Sequence, residues 1–160
     1  LASLLKVCLM MEQKDHNTWK SWSLVSLQFI CLGLVFVSGP LLADRIYLLI
    51  PELAGLALGL WALAAMGRGN LNIAPDPLEW SRMVDLGPYY VIRHPMYLAL
   101  LLVSLPVVLD SLTVFRLGIW LVLLATLIYK MGYEESMLLA KFPRYEDYKQ
   151  KTWRLIPGLY

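Results

Sequence analysis

Apolar residues fall into four blocks separated by polar, turn-forming stretches. The first, Trp22–Leu42, covers roughly 30 Å as a helix, enough for the hydrocarbon core of a bilayer. Trp19 and Trp22 suit the membrane interface at its start. Gly39-Pro40 and then Asp44-Arg45 end it. The second block, Ile46–Met66, contains Pro51, which either kinks it or stands at its first helical position. Its Gly55 and Gly59 form a Gly-x-x-x-Gly that permits close helix approach, with packing inside the chain expected over dimerisation. The third, Pro95–Leu109, is short, is interrupted by Pro106, and reads as a tilted span or a re-entrant piece. Asp110-Ser111 is a tight turn. The fourth, Leu112–Tyr129, keeps its helical pattern through Glu134-Glu135 to about Lys141, predicting a long helix that leaves the membrane.

Two polar regions complete the pattern. Gly67–His94 is rich in Gly, Asn and Pro, and a stretch that long without a clear helix is usually functional or disordered. Phe142–Tyr160 is amphipathic and basic. Its Phe142, Tyr145, Tyr148 and Trp153 suit an amphipathic or broken helix lying on the bilayer. Such aromatics also stack on an adenine or attract a sulfonium. Leu1–Met11 is apolar except for Lys6 and lacks a basic leader and a small-residue cleavage site, so no signal peptide is expected.

Composition agrees with a membrane chain. Of 160 residues, 59% are hydrophobic and 16% charged, against about half and about a quarter in soluble domains. The net charge of +2 is too small to argue for a nucleic-acid partner. Cys8, Cys31, His16 and His94 offer no metal-ligand spacing, so no metal is expected. Twelve of the fourteen Lys and Arg residues fall on one side of a four-span arrangement, with only Arg45 and Arg116 on the other. That asymmetry predicts cytoplasmic termini and a cytoplasmic Gly67–His94 loop. The expected fold is therefore an all-α integral membrane protein of about four transmembrane helices. It forms a single domain: a cytoplasmic segment 1–21, two spans within 22–66, and a C-terminal half 67–160.

The residues with chemistry cluster at the cytoplasmic edges. Pro95 suits the first helical position and pushes His94 into an extended conformation. The N–H groups of Met96 and Tyr97 are then expected to be unpaired at a helix N-terminus that attracts anions, with Arg93 adding a positive fork. The plain alternative is a snorkelling Arg and an interfacial His. Glu134 has Lys130 one turn before it, and the ordinary reading is a solvated i,i+4 ion pair. Glu135 shares a face with Met131, Leu138 and Phe142, and a carboxylate there needs a protein or ligand partner.

Gly-Pro-Tyr at 87–89, Arg-His-Pro-x-Tyr at 93–97, Glu-Glu-x-x-Leu-x-x-x-Phe-x-x-Tyr-x-x-Tyr at 134–148 and Ile-Pro at 156–157 occur in that order. Together they resemble the membrane superfamily of isoprenylcysteine carboxyl methyltransferases and phospholipid N-methyltransferases, over roughly Gly67–Pro157. The resemblance implies a helical membrane fold that binds S-adenosylmethionine in its cytoplasmic C-terminal half. Carried over residue by residue, it implies a cofactor pocket of Tyr89, Arg93, His94, Pro95, Tyr97, Glu134, Glu135, Tyr145 and Tyr148. Arg93, His94 and Glu135 are its candidate catalytic residues. Arg93 and the helix N-terminus would take the cofactor carboxylate, and Glu135 its ammonium or ribose. Two departures stand out. Pro143 follows Phe142 where the family often has Gly, and Ala99 stands where it commonly has Gly soon after the Arg-His-Pro-x-Tyr motif.

The expected activity is methyl transfer to a lipophilic or membrane-embedded carboxylate, amine or thiol. Proximity and alignment supply most of the acceleration in such a displacement. The acceptor is expected to enter from the lipid with its polar head at the Gly67–His94 loop, near Asn70, Asn72 and Asp76. Two alternatives stand beside it: a nicotinamide-dependent reductase of related architecture, and a small membrane protein without enzymatic activity.

Overall fold

The computed structural model describes residues 2–67 and 83–160, with side chains from Trp19 onward. Its regular secondary structure among these residues is helical, with one isolated parallel bridge between Ile92 and Trp153. Five α-helices follow in chain order: α1 Ala2–Val37, α2 Ile46–Met66, α3 Pro95–Asp110, α4 Val114–Lys141 and α5 Tyr145–Lys151. A single 3-10 turn, Gly87–Tyr90, precedes α3. Trp19–Val37, Ile46–Met66 and Val114–Lys141 are long and apolar enough to cross a membrane, whereas α3 is a shorter apolar helix.

The helix limits correct the sequence pattern in three places. α1 begins well before Trp22, and residues 2–21 are part of the same helix. It ends at Val37, although apolar residues continue to Leu42. Pro40 has no N–H to continue the ladder and disfavours helical geometry at Gly39. Pro51 lies inside α2, not at its first position, and Pro106 lies inside a continuous α3. Apolar surroundings favour keeping the remaining backbone bonds of such helices intact. The limits of α4 follow local chemistry. Thr113 Oγ1 caps its start by accepting from Arg116 N at 3.2 Å, and Pro143 follows its last turn.

The helices pack as two antiparallel pairs. α2 lies against α3 where small residues meet. A Cβ on Gly55 would fall 2.7 Å from Leu102 Cβ, and one on Gly59 would meet Ala99 Cβ at 3.4 Å. The Gly-x-x-x-Gly thus serves packing within the chain, as the sequence suggested. α1 lies against α4, and α3 joins the two pairs. Cys31, Leu32, Leu101, Leu123, Leu127, Met131 and Leu155 form the shared core, so the C-terminal tail packs into it. Trp120 Nε1 donates to Ser104 Oγ at 3.1 Å, fixing α3 on α4.

One pole of the bundle is tied by charge. Arg116 is buried and donates to Ser111 O at 2.9 Å and Val35 O at 3.2 Å. A cation there complements the C-terminal end of α1. The buried Glu52 accepts from Ala43 N at 3.0 Å, and Asp110 Oδ2 accepts from Asp44 N at 3.1 Å. The candidate site occupies the opposite pole.

Candidate functional site

Pro95 starts α3, is buried, and leaves His94 at the N-cap. The stretch before it has no helical partner for its polar backbone, so it takes one from the tail. Trp153 N donates to Val91 O at 2.9 Å, Arg93 N to Trp153 O at 2.8 Å, and His94 N to Arg154 O at 3.2 Å. This short parallel pairing sets Arg93 and Arg154 together beside α4.

Glu135 is the hub. Its Oε1 accepts from Arg93 Nε at 2.9 Å and Arg154 Nε at 3.2 Å, and lies 3.2 Å from His94 Nε2. The partner expected for this carboxylate on an apolar face is therefore present within the protein. Arg93 also donates through Nη1 to Lys149 O at 2.9 Å and to Thr152 O. One guanidinium thus ties α4, the end of α5 and the tail into a single web.

Glu134 approaches the same imidazole from its other nitrogen. Tyr97 donates its hydroxyl to Glu134 Oε1, and His94 Nδ1 lies 3.6 Å from Glu134 Oε2. The His94 ring stacks on Tyr97 with centroids 5.5 Å apart and planes 10° from parallel, which fixes both ring nitrogens between the two carboxylates. The Glu134 side chain is 18% exposed against 7% for Glu135, so Glu134 is the more reachable carboxylate.

Lys130 departs from the solvated ion pair expected with Glu134. It is buried, donates to Gln28 Oε1 at 2.9 Å, and sits 5.2 Å over the Tyr97 ring. Lys130 and Gln28 therefore carry the polar cluster inward between α4 and α1. Another expectation also changes. Tyr97 N is not unpaired but donates to His94 O at 3.1 Å, tightening the first turn of α3.

Three phenols complete the cluster. Tyr148 donates to Tyr89 O at 2.6 Å, and its ring lies 5.5 Å from that of Tyr145. Burial pushes the hydroxyls of Tyr89, Tyr145 and Tyr148 well above the usual tyrosine range, so all three stay protonated donors. The Tyr89 hydroxyl is buried and has no hydrogen-bond partner among the described residues. A buried donor left unpaired costs about 1–3 kcal/mol, and a bound acceptor relieves it. Beside this cluster, an open cleft is lined by Asp85, Tyr90, Arg144, Asp147 and Lys151.

All nine residues singled out in the sequence thus lie at one pole. Tyr89, Arg93, His94, Tyr97, Glu134, Glu135 and Tyr148 are linked by contacts or electrostatic proximity, Tyr145 packs on Tyr148, and Pro95 places the helix. Arg154 and Gln28 were not foreseen. Arg154 precedes the Ile-Pro pair in sequence, but only the pairing of the tail with 91–94 brings it to Glu135. Asn70, Asn72, Asp76, Arg68 and Arg82 lie outside the described residues. Among those described, no group of three or more His, Cys, Asp or Glu side chains is arranged to hold a metal ion. No family model matches the chain, and no curated protein matches it.

Proposed function

We propose that this chain is an S-adenosylmethionine-dependent methyltransferase of the isoprenylcysteine carboxyl and phospholipid N-methyltransferase type, acting on a lipophilic acceptor. The observation that carries the reading is the convergence of its ordered motifs. Residues from 87–97 and 134–148 gather around one imidazole at one pole, beside a tyrosine hydroxyl without a partner among the described residues.

The chemistry of these donors and acceptors fits the cofactor. S-adenosylmethionine supplies an electrophilic methyl group on a sulfonium, together with an ammonium, a carboxylate and ribose hydroxyls. The part-exposed Glu134 would take the ammonium or a ribose hydroxyl, and the Tyr89 hydroxyl would donate to a cofactor oxygen. Arg93 is already engaged by Glu135 and by carbonyls of Lys149 and Thr152. Its role in this reading is to position Glu135 and the tail, with the carboxylate of the cofactor a further ligand. His94 lies between two carboxylates and is held in orientation by Tyr97, which suits it to bind or pass a proton where the acceptor is an amine or a thiol.

In this reading α3 is the fourth crossing. Asp110, at the end of α3, meets Asp44 and Arg45 at the start of α2. Gly87, before α3, approaches Ala65 and Trp61 near the end of α2. α3 and the turn before it therefore run alongside most of α2. The excess of Lys and Arg on one side supports a cytoplasmic Arg93–Glu135 pole in this reading.

The test is equilibrium binding of S-adenosylmethionine to detergent-purified protein, beside NADPH, with Tyr89→Phe and Glu134→Gln as variants that leave the Glu135 web in place. Saturable binding of S-adenosylmethionine weakened by both changes supports the reading. Binding of NADPH alone would make the protein a reductase, and binding of neither would remove the cofactor assignment.

A further inference from the structure

An apolar rim runs along the site pole and has no partner among the described residues. Leu86 is 70% exposed, Tyr90 75% and Leu159 77%, and Val91, Trp153 and Ile156 are also exposed. They come from two distant segments held edge to edge by the bonds between Val91, Arg93 and Trp153. The α5 tyrosines, by contrast, turn inward: Tyr145 is buried, and Tyr148 donates to the Tyr89 backbone. The outward apolar face therefore belongs to the 86–91 stretch and the tail after α5, not to an amphipathic helix over 142–160.

The height of this rim is set by its neighbours. Gly87 sits against Trp61 and Ala65 in the last turns of α2, one of the membrane-length helices. Trp61 is itself exposed, an indole where a span ends. Exposed Arg144, just before α5, and exposed Lys151 at its end lie beside the rim, with Glu146 and Asp147 also exposed on α5. Apolar and aromatic side chains at the end of a span, with cations beside them, match the boundary between acyl chains and headgroups.

We propose that 86–91 and 153–160 form a single membrane-interface seat, embedded in the headgroup layer of the leaflet where α2 ends. The backbone of Trp153 holds both Val91 and Arg93, so the seat also fixes the level of the Arg93–Glu135 web against the bilayer. This inference does not depend on which cofactor the site binds.

Spin labels on Leu86→Cys and Leu159→Cys test it in protein reconstituted into phosphatidylcholine–phosphatidylglycerol nanodiscs, with labelled parent protein as the blank for Cys8 and Cys31. Gln150→Cys, on an exposed position of α5, is the comparison. The expected result is a ratio of collisions with oxygen to collisions with a water-soluble nickel chelate several-fold higher at both seat positions than at Gln150. Ratios equal to that at Gln150 would place the rim in water and overturn the proposal. Protection from both reagents would make it a protein interface and overturn it equally. All three positions are exposed, so labelling leaves the core intact.

Discussion

At the scale of single residues, one oxygen of Glu135 serves two guanidiniums and an imidazole. Removing the carboxylate leaves buried positive charge without its shared anion, which is far worse than losing one exposed pair. Glu135→Ala is expected to destabilise the folded protein by about 3 kcal/mol, read from denaturant unfolding in micelles. Arg154 is more open, and Arg154→Ala is expected to cost about 1 kcal/mol. Equal losses for the two would contradict Glu135 as the hub. Tyr89→Phe has the opposite sign. It removes a buried hydroxyl without a partner among the described residues, so stability should hold or rise by about 1 kcal/mol while affinity for S-adenosylmethionine falls in the proposed function. Much of this cluster is legible in the sequence, because a carboxylate on an apolar helix face and an arginine before a proline-started helix each announce a need. Arg154 and Gln28 are not legible. Nothing local marks them, and their partners lie on other elements brought near only by the packed fold.

Elements meet where side chains are small. Gly55 packs so tightly on α3 that an added Cβ would lie 2.7 Å from Leu102 Cβ and 3.0 Å from Ala99 O. The Ala99 carbonyl belongs to the α3 backbone and yields little. Gly55→Ala is therefore expected to destabilise by about 1–3 kcal/mol through overpacking. Gly59→Ala meets only ordinary contact at 3.4 Å and should change stability by less than about 0.5 kcal/mol, because Ala also favours helix. Thermal unfolding of both variants in one detergent checks the contrast, and a larger loss at Gly59 would contradict the packing. The sequence reveals the motif but not this inequality, which depends on the register of α2 against α3. Helix limits show the same division. Pro143 and Thr113 bound α4 through local backbone chemistry, whereas Pro51 and Pro106 interrupt the apolar pattern yet sit within helices.

For the whole molecule, the open choice in the sequence is whether the short third block crosses the bilayer. Its length alone leaves a re-entrant piece possible, since 16 residues cover only about 24 Å as a helix. The contacts favour a crossing. Asp110 reaches Asp44 and Arg45 at one end of α2, while Gly87 approaches Ala65 near the other. Crossing by α3 puts the exposed Leu112 of the α3–α4 turn on the same face as the exposed Leu41 of the α1–α2 turn, and α4 then carries the exposed Lys151 of α5 to the other. The charge bias predicts the cytoplasm for Lys151 and the outside for Leu112. A membrane-impermeant maleimide distinguishes the arrangements, with the parent protein reporting any labelling of Cys8 and Cys31. Leu41→Cys and Leu112→Cys are expected to react in intact cells, and Lys151→Cys only after the cells are opened. If only one of Leu41→Cys and Leu112→Cys reacts in intact cells, the two turns lie on opposite faces, α3 is re-entrant and the chain has three crossings. If Lys151→Cys alone reacts in intact cells, α3 still crosses but the orientation is inverted, and the Arg93–Glu135 pole faces away from the cytoplasm.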